Sequence, residues 1–282
     1  LYQSNNCWTS LKRAAGRIAY KDDVITKRLE KGMANLLHHN TASFLHFIEL
    51  FIDGSKQYLD TKNYKYALML YYALFQDRLD KTGFASIYEA LELIHKEMYS
   101  YFRQEISEII SYLLAHLQLK TMPLGEDVLP GLELYGCYTR EEIFTLAGRQ
   151  TEARKMQGSV TGVFNLSEHN ATLLFVTLNK SDKDFSPSTQ YNDYLINEHY
   201  FHWQSQNTDS HQNNGGQRYT KQADTQNKII LFVREEKKDG YGNTCPFHCF
   251  GLVEYMSSHD DFPMNITWKL QQPAMAQYVK AI

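Results

Sequence analysis

The stretch TMPLGEDVLPGLELYGCY, which spans Thr121–Tyr138, separates two regions of different character. It contains two prolines and three glycines, and this density of residues that interrupt regular structure is typical of a linker. We therefore predict an α-helical domain over residues 1–120, a linker over 121–138 and a β-rich domain over 139–282.

Before the linker, the sequence has the periodicity of α-helices. The segment Tyr64–Phe75 is apolar on nearly every side, which predicts a helix at the centre of the helical packing. No proline occurs in this region, as expected of uninterrupted helices. Apolar residues recur at the spacing of one helix face, as in Phe44, Phe47, Ile48 and Phe51.

After the linker, one short helix precedes a region of β character. In TREEIFTLAG, a capping box at Thr139 and Glu142 begins a helix over Arg140–Ala147, and Gly148 follows as its C-terminal cap. The rest predicts strands, so the fold class is α+β: a helical domain, one leading helix and a mostly antiparallel sheet that is closed or folded over as a β-barrel. The strand-like runs are VTGVFNL, ATLLFVTLN, HYFHWQSQ, KIILFVRE, FHCFGLVEYM and MNITWKLQ.

The composition limits the possible partners. With 282 residues and a formal net charge of −3, the chain is not drawn to nucleic acid or membrane by bulk charge, so a polyanion site must be a local patch. Four scattered cysteines suit a reducing compartment. No apolar run approaches the roughly 20 residues of a membrane helix. Because signal peptide and initiator Met are also lacking, we expect a cytoplasmic fragment of a longer polypeptide with no membrane partner.

Motifs for cofactors and metals are absent or incomplete. The chain has neither a phosphate-binding G-x-x-x-x-G-K-[ST] loop nor a dinucleotide G-x-G-x-x-G motif, so we expect it to bind no cofactor. The cysteines in Cys245–Cys249 lack the second pair of a zinc site and resemble small core residues. His38 and His39 are adjacent, and adjacent helix positions face different ways. Ser205 is not in a nucleophile elbow.

A metal-dependent nuclease is an alternative interpretation of one charged segment. Glu235 and Lys237 follow the strand-like KIILFVRE in a loose acid-x-lysine pattern, and Asp224 could supply a further carboxylate. The same residues also suit an ordinary charged hairpin loop.

The stretch FHWQSQN, Phe201–Asn207, suggests a binding surface. Strand alternation places its aromatic residues in the core and its polar residues on the other face. Amide side chains can hydrogen-bond to a base edge, and aromatic rings can stack on bases. Neighbouring loops rich in Lys, Arg, Ser and Gly suit phosphate contacts. The predicted nucleic-acid-binding residues are His202, Gln204, Gln206 and Asn207 on the strand, with Lys180, Arg218 and Tyr219 on the loops.

The order of several segments indicates a family resemblance. Between Leu132 and Leu270, the chain resembles a bacterial domain of unknown function at the C-terminal end of superfamily II (DEAD/DEAH-type) helicases, which commonly also have a phospholipase-D-like nuclease domain. The helix TREEIFTLAG is similar to the first helix of that domain. The segments are LFVTLNKSDKDFSPSTQYNDY, FHWQSQN, GQRY, ILFVRE and PMNITWKL.

The resemblance implies a context of DNA processing, with defence against foreign DNA as a setting. DNA and the motor and nuclease domains of the same polypeptide are the implied partners, and ATP and Mg²⁺ are expected only for the motor. By analogy, a PUA/SRA-like fold that reads unusual or flipped bases fits the strand number. No catalytic residue is implied.

These observations favour a non-catalytic nucleic-acid recognition module. Two alternatives are kept open: the nuclease with Glu235, Lys237 and Asp224, and a protein-interaction module whose aromatic helical half docks on the motor.

Overall fold

The computed structural model describes residue 2 and residues 6–125, 127–156, 161–180 and 192–279. The chain forms two compact units. The helical unit comprises the described residues of 1–121 and 140–158, and the sheet unit comprises those of 122–139 and 159–282. None of the helices in the described ranges combines the length and apolar character needed to cross a bilayer.

The helical unit is organised around α4, Tyr64–Phe75. Every residue of this helix from Ala67 to Phe75 is buried, which confirms the prediction of a central helix. The other helices of the unit are α1 (Trp8–Ala14), α2 (Val24–Gly32), α3 (Ala42–Ile52), α5 (Leu79–Thr82), α6 (Ile87–Leu93), α7 (Ser100–Ala115) and α8 (Arg140–Leu146).

Side chains cap the first two helices of the unit. At α1, the backbone N–H groups of Trp8 and Thr9 each donate to the buried carboxylate of Glu105 at 2.7 Å. At α2, Asp23 accepts from the backbone N–H of Thr26 at 3.0 Å, and the Thr26 hydroxyl accepts from the Asp23 N–H in return. These bonds satisfy donors that have no partner within the helix.

The predicted leading helix exists as α8, and it belongs to the helical unit rather than to the sheet unit. The predicted linker contains three short strands of the sheet unit: β1 (Met122–Pro123), β2 (Glu133–Leu134) and β3 (Cys137–Tyr138). β1 and β2 pair with each other, and β3 pairs with a strand of the main sheet. The chain therefore enters the sheet unit, returns to the helical unit through α8, and enters the sheet unit again.

The main sheet has the order β4-β5-β8-β9-β10-β7-β6, and β3 pairs with β9. Its pairs are antiparallel except for β5 and β8, which are parallel. The strands are β4 (Val163–Leu166), β5 (Ala171–Asn179), β6 (Tyr194–Asn197), β7 (Tyr200–Gln204), β8 (Lys228–Glu236), β9 (Phe247–His259) and β10 (Asn265–Leu270).

The α+β fold class and the mostly antiparallel sheet are confirmed, but the prediction of a closed barrel is wrong. β4 and β6 are the two edges of the sheet, and no pairing joins them within the described ranges. The parallel β5–β8 pair arises because the chain between these strands forms the β6–β7 hairpin and the helices α9 (Asn214–Thr220) and α10 (Gln222–Thr225) before it returns. A crossover of this kind brings the second strand back in the same direction as the first.

The two parallel strands are buried on both sides. β5 is buried from Ala171 to Thr177, and β8 is buried from Ile229 to Arg234. Such continuous burial is typical of parallel strands. One side contributes to an aromatic core that includes Trp203, Trp268 and Tyr219, the last from α9. α11 (Ala276–Val279) adds Tyr278 to the same core.

Candidate functional site

The strand β7 has two faces of different character, as its sequence predicts. Phe201 and Trp203 are buried in the aromatic core, whereas His202 and Gln204 are half-buried on the opposite side. Ser205 continues the buried side, and its backbone N–H and hydroxyl bond to the backbone of Met264 at 3.0 Å each. The aromatic pair is therefore structural, and the opposite face is half-buried.

We call this opposite surface the polar face. The register of the strands places His202 between Tyr194 of β6 and Thr267 of β10, and it places Gln204 beside Asn265 of β10. The rings of Tyr194 and His202 stack with centroids 4.6 Å apart and an interplanar angle of 12°. Tyr194 is 43% exposed. The polar face thus comprises Tyr194, His202, Gln204, Asn265 and Thr267.

Hydrogen bonds within the unit orient the amides of the polar face. Gln204 Oε1 accepts from the Asn192 N–H at 2.7 Å, and Gln204 Nε2 donates to Asn265 Oδ1 at 2.9 Å. Asn265 Nδ2 donates in turn to Asp260 at 3.0 Å. His202 Nδ1 contacts the Asn192 carbonyl at 2.8 Å. A base edge would have to use the second lone pair or second N–H of each amide, because the first is already engaged.

Lys180 does not lie in an open phosphate-binding loop. Its ammonium is 2.5 Å from a carboxylate oxygen of Asp193, and the two side chains are only 8% and 3% exposed. Asp193 also accepts from the backbone N–H of Gln204 at 2.9 Å. Burial raises the pKa of Asp193, and the nearby ammonium opposes that shift. The pair joins the end of β5 to the start of β6. Residues 181–191, to which the predicted loop also extends, lie outside the described residues.

Arg218 and Tyr219 lie on the helix α9, not on a loop. Tyr219 is 1% exposed, and its ring packs edge-on against Trp203 with centroids 5.2 Å apart. α9 therefore covers the side of the sheet opposite to the polar face. Its Gly216 is needed for packing, since a Cβ there would overlap the Ser210 carbonyl and the Met264 sulfur. The structure does not bring Arg218 and Tyr219 together with His202 and Gln204.

Gln206 and Asn207 follow the strand in a turn. The carbonyl of Gln206 accepts from the Ser205 hydroxyl at 3.1 Å and from the Asp209 N–H at 2.9 Å. Gln206 is half-buried and Asn207 is exposed. Both remain near the end of the polar face, at the margin of the amide pair.

The two separate carboxylates of the nuclease alternative, Asp224 and Glu235, are far apart. Asp224 lies on α10 just before β8, and Glu235 lies at the other end of β8. The eight residues from Lys228 to Glu235 are separated by seven steps, which span about 23 Å at about 3.3 Å per step. Asp224 and Glu235 therefore cannot bind the same metal ion, and Lys237 lies beyond Glu235.

The segment with Cys245 and Cys249 does not form a zinc site with described residues. Burial raises the pKa of the Cys249 thiol to about 12. His248 Nδ1 is 2.6 Å from the Tyr278 hydroxyl and is thereby engaged. Burial lowers the pKa of His248 to about 4. Cys249 is buried, and Cys245 and His248 are half-buried.

A chain of polar residues that was not predicted lies at the end of β9. His211 Nδ1 is 2.9 Å from Asp261 Oδ1, and His211 Nε2 is 2.7 Å from the Ser258 hydroxyl. The Tyr255 hydroxyl is 2.8 Å from the same Ser258 oxygen. The distances match those of a carboxylate–imidazole–hydroxyl triad, but His211 and Asp261 are about a third or more exposed to water. Each of these groups has a hydrogen-bond partner within the series of polar residues. We therefore assign this series a structural role: it holds the loop before α9 against β9.

A second unpredicted cluster lies in the helical unit. His38, His39 and Glu142 have ligand atoms that all lie within 4.8 Å of one another, and this is the one such group among the described residues. The prediction that the histidines face apart assumed a helix. His38 lies instead in a turn and His39 in an irregular segment between helices, with ring centroids 4.1 Å apart. Because both histidines are far from Glu142 in the sequence, no local sequence pattern could have revealed the cluster.

The fold and the site define the class of the protein. It is an α+β chain with an open mixed sheet, which has a polar face on one side and an aromatic core on the other. Residues 132–281, just over half of the chain, match the family described as a domain of unknown function, DUF3427, and the chain belongs to this family. A search of curated proteins finds no match.

Proposed function

We propose that the sheet unit is a non-catalytic nucleic-acid recognition module that binds single-stranded DNA on its polar face. The observation that supports this proposal is the exposed Tyr194–His202 stack, placed next to the oriented amides of Gln204 and Asn265. Aromatic rings on a sheet surface are a common platform for unpaired bases.

The aromatic pair would supply most of the binding energy. Tyr194 is on an edge strand and is 43% exposed, so a base can reach its ring. A base stacked on an aromatic side chain contributes about 1–3 kcal/mol. His202 supports the Tyr194 ring from the other side and keeps Nε2 for a bond to a base or a phosphate.

The amides would supply discrimination between bases. Gln204 and Asn265 are half-buried and fixed by the bonds to Asn192 and Asp260, so their remaining donor and acceptor directions are oriented in advance. Amide groups read base edges through paired donors and acceptors. The analogy with PUA/SRA-like domains contributes only the reading of bases to this proposal. It does not extend to the fold, because the sheet is open.

Charge would contribute little to binding. Lys269 is exposed and lies opposite Tyr200 on the same side of the sheet, but Glu254 lies opposite Lys269 on β9. Each neutralised phosphate of a single strand contributes about 0.7 to the slope of log affinity against log salt. We therefore expect a slope smaller in magnitude than about 2, and micromolar affinity.

The larger context is also a proposal. The resemblance to the C-terminal domain of bacterial superfamily II helicases with phospholipase-D-like nuclease domains supports a role in DNA processing or defence. Motor and nuclease domains of the same polypeptide would then be partners. ATP and Mg²⁺ would act in the motor.

The proposal is tested by fluorescence anisotropy with single-stranded, double-stranded and base-modified DNA at two salt concentrations. We expect single-stranded DNA to bind best, and Tyr194→Ala to weaken binding about 5-fold or more through the loss of stacking. Tyr241→Ala is the matched control, because Tyr241 is an exposed tyrosine of the same unit, on the β8–β9 hairpin. Equal binding by Tyr194→Ala and wild type, or no binding at all, would reject the proposal and favour the interaction module.

A further inference from the structure

We propose that His38, His39 and Glu142 form a structural binding site for a divalent metal ion, with Zn²⁺ as the preferred ion. The site lies within the helical unit and is independent of the proposed nucleic-acid binding.

The distances suit a small ion. His38 Nε2 is 2.9 Å from Glu142 Oε2, and His39 Nε2 is 3.4 Å from Glu142 Oε1. Ligands at about 2.0–2.1 Å from a tetrahedral Zn²⁺ are about 3.3 Å from one another. An ion could thus be bound by small side-chain adjustments, without movement of the backbone.

The strongest observation is the burial of His39. Its side chain is fully buried, and neither Nδ1 nor Nε2 has a hydrogen-bond partner among the described residues. Buried polar groups without partners are rare, and each calls for an explanation such as an ion or a water molecule. A neutral imidazole binds a metal ion through its unprotonated nitrogen. Nε2 is aimed at the Glu142 carboxylate, where the ion would lie.

The donor set selects the type of ion. Two imidazole nitrogens and one carboxylate oxygen suit Zn²⁺ and disfavour the oxygen-preferring Ca²⁺ and Mg²⁺. His38 is 16% exposed, which leaves a path to solvent and room for a water molecule as fourth ligand.

The ion would fasten α8 to the rest of the helical unit. His38 and His39 lie four and three residues before the start of α3, and Glu142 is in the first turn of α8. The Lys65 ammonium already donates to the Leu146 carbonyl at the other end of α8. A metal at the first turn would hold the helix at both ends, at the point where the chain returns from the sheet unit.

The competing explanation is a metal-free pair. His38 and Glu142 would form a hydrogen-bonded ion pair, and His39 would be a neutral core residue against Phe44, whose ring lies edge-on with centroids 4.6 Å apart. This arrangement requires no ion and predicts no stoichiometric metal binding.

A measurement of Zn²⁺ binding to the whole chain distinguishes the metal site from the metal-free pair. The chain is treated with a chelator, and Zn²⁺ is then titrated against a chromophoric competitor. We expect one Zn²⁺ per chain and a rise in the melting temperature. Co²⁺ in the same site should give the visible absorption of a four-coordinate ion.

Variants locate the ion. Glu142→Gln keeps the size of the side chain, and we expect it to weaken Zn²⁺ binding by at least the roughly 10–100-fold that changes around a metal site cost. His38→Gln should act in the same way. His46→Gln is the matched control, because His46 is an exposed histidine on α3 that pairs with Glu49. It should bind Zn²⁺ as the wild type does.

The proposal is overturned if the wild-type chain binds no stoichiometric Zn²⁺, or if both Glu142→Gln and His38→Gln bind it with wild-type affinity. Should Glu142→Gln fail to fold, the wild-type Co²⁺ spectrum and His38→Gln decide the question.

Discussion

The cluster of His38, His39 and Glu142 and the polar face contain similar side chains in opposite surroundings. In the cluster, His39 is buried, and neither ring nitrogen makes a hydrogen bond with a described residue. On the polar face, Gln204 is half-buried and both of its amide atoms bond to neighbouring residues. An unsatisfied buried polar group costs about 1–3 kcal/mol, whereas an exposed one costs little because water replaces a lost partner. Burial therefore favours a bound ligand in the first region, whereas water can serve the polar groups of the second.

The largest expected effect concerns the buried side of the strand that also forms the polar face. Trp203→Ala removes a ring that packs against Tyr219 and Trp268. Because the surrounding core can relax only in part, we expect a loss of about 3–5 kcal/mol in the free energy of unfolding. Chemical denaturation of the variant measures it. A loss below about 1 kcal/mol would show that the two faces of β7 do not differ in the way the structure indicates.

The next effect concerns the buried ion pair at the margin of the polar face. Asp193→Asn removes the carboxylate that pairs with the buried ammonium of Lys180, while nearly the same shape is kept. Removal of one partner of a buried pair destabilises by about 3 kcal/mol or more, and we expect about 3 because Asn keeps an acceptor oxygen. Asp127→Asn, which alters the exposed pair with Lys228, is the control and should leave stability nearly unchanged. Equal effects in denaturation experiments would contradict the difference between buried and exposed pairs.

Features set by neighbouring residues could be predicted from the sequence, and features set by distant ones could not. The two faces of β7 follow from alternation along the strand, which is local. The parallel pairing of β5 and β8 depends on the path of the roughly 50 residues between them, which alternation does not specify. The prediction of a closed barrel failed for this reason.

The candidate sites show the same limit. The NNGG sequence before Arg218 has low helix propensity and predicts a loop, but Gly216 packs so closely against Ser210 and Met264 that this segment forms α9. Tertiary packing thus outweighs local preference. His38 and Glu142 are 104 residues apart, and only the folded chain reveals that they are neighbours.

A smaller effect is the pH dependence of the free energy of unfolding, which should differ between buried and exposed histidines. Burial lowers the pKa of His248 to about 4, while the ordinary value of the unfolded chain is about 6.5. The unfolded state therefore binds the proton more readily, and stability falls as the pH drops from about 6.5 to 4. One such group contributes about 2 kcal/mol over this range, after allowance for its partial exposure.

His248→Gln removes this titrating group and keeps a hydrogen-bonding atom near Tyr278. We expect its unfolding free energy to fall less steeply between pH 6.5 and 4 than that of the wild type. His199→Gln is the control, because His199 is exposed beside Glu198. If the His248→Gln variant and the wild type have parallel profiles in urea denaturation at several pH values, His248 is not neutral in the folded chain.

The smallest effect on stability should come from the polar face itself. Gln204→Ala removes the bonds to Asn192 and Asn265, but water can reach both groups and replace them. We expect the free energy of unfolding to change by less than about 1 kcal/mol, well below the effect of Trp203→Ala one residue away. A loss as large as that of Trp203→Ala would mean that the amide network holds the sheet edge together and has no freedom to serve a ligand. A small loss combined with weaker DNA binding would separate stability from recognition on the two sides of one strand.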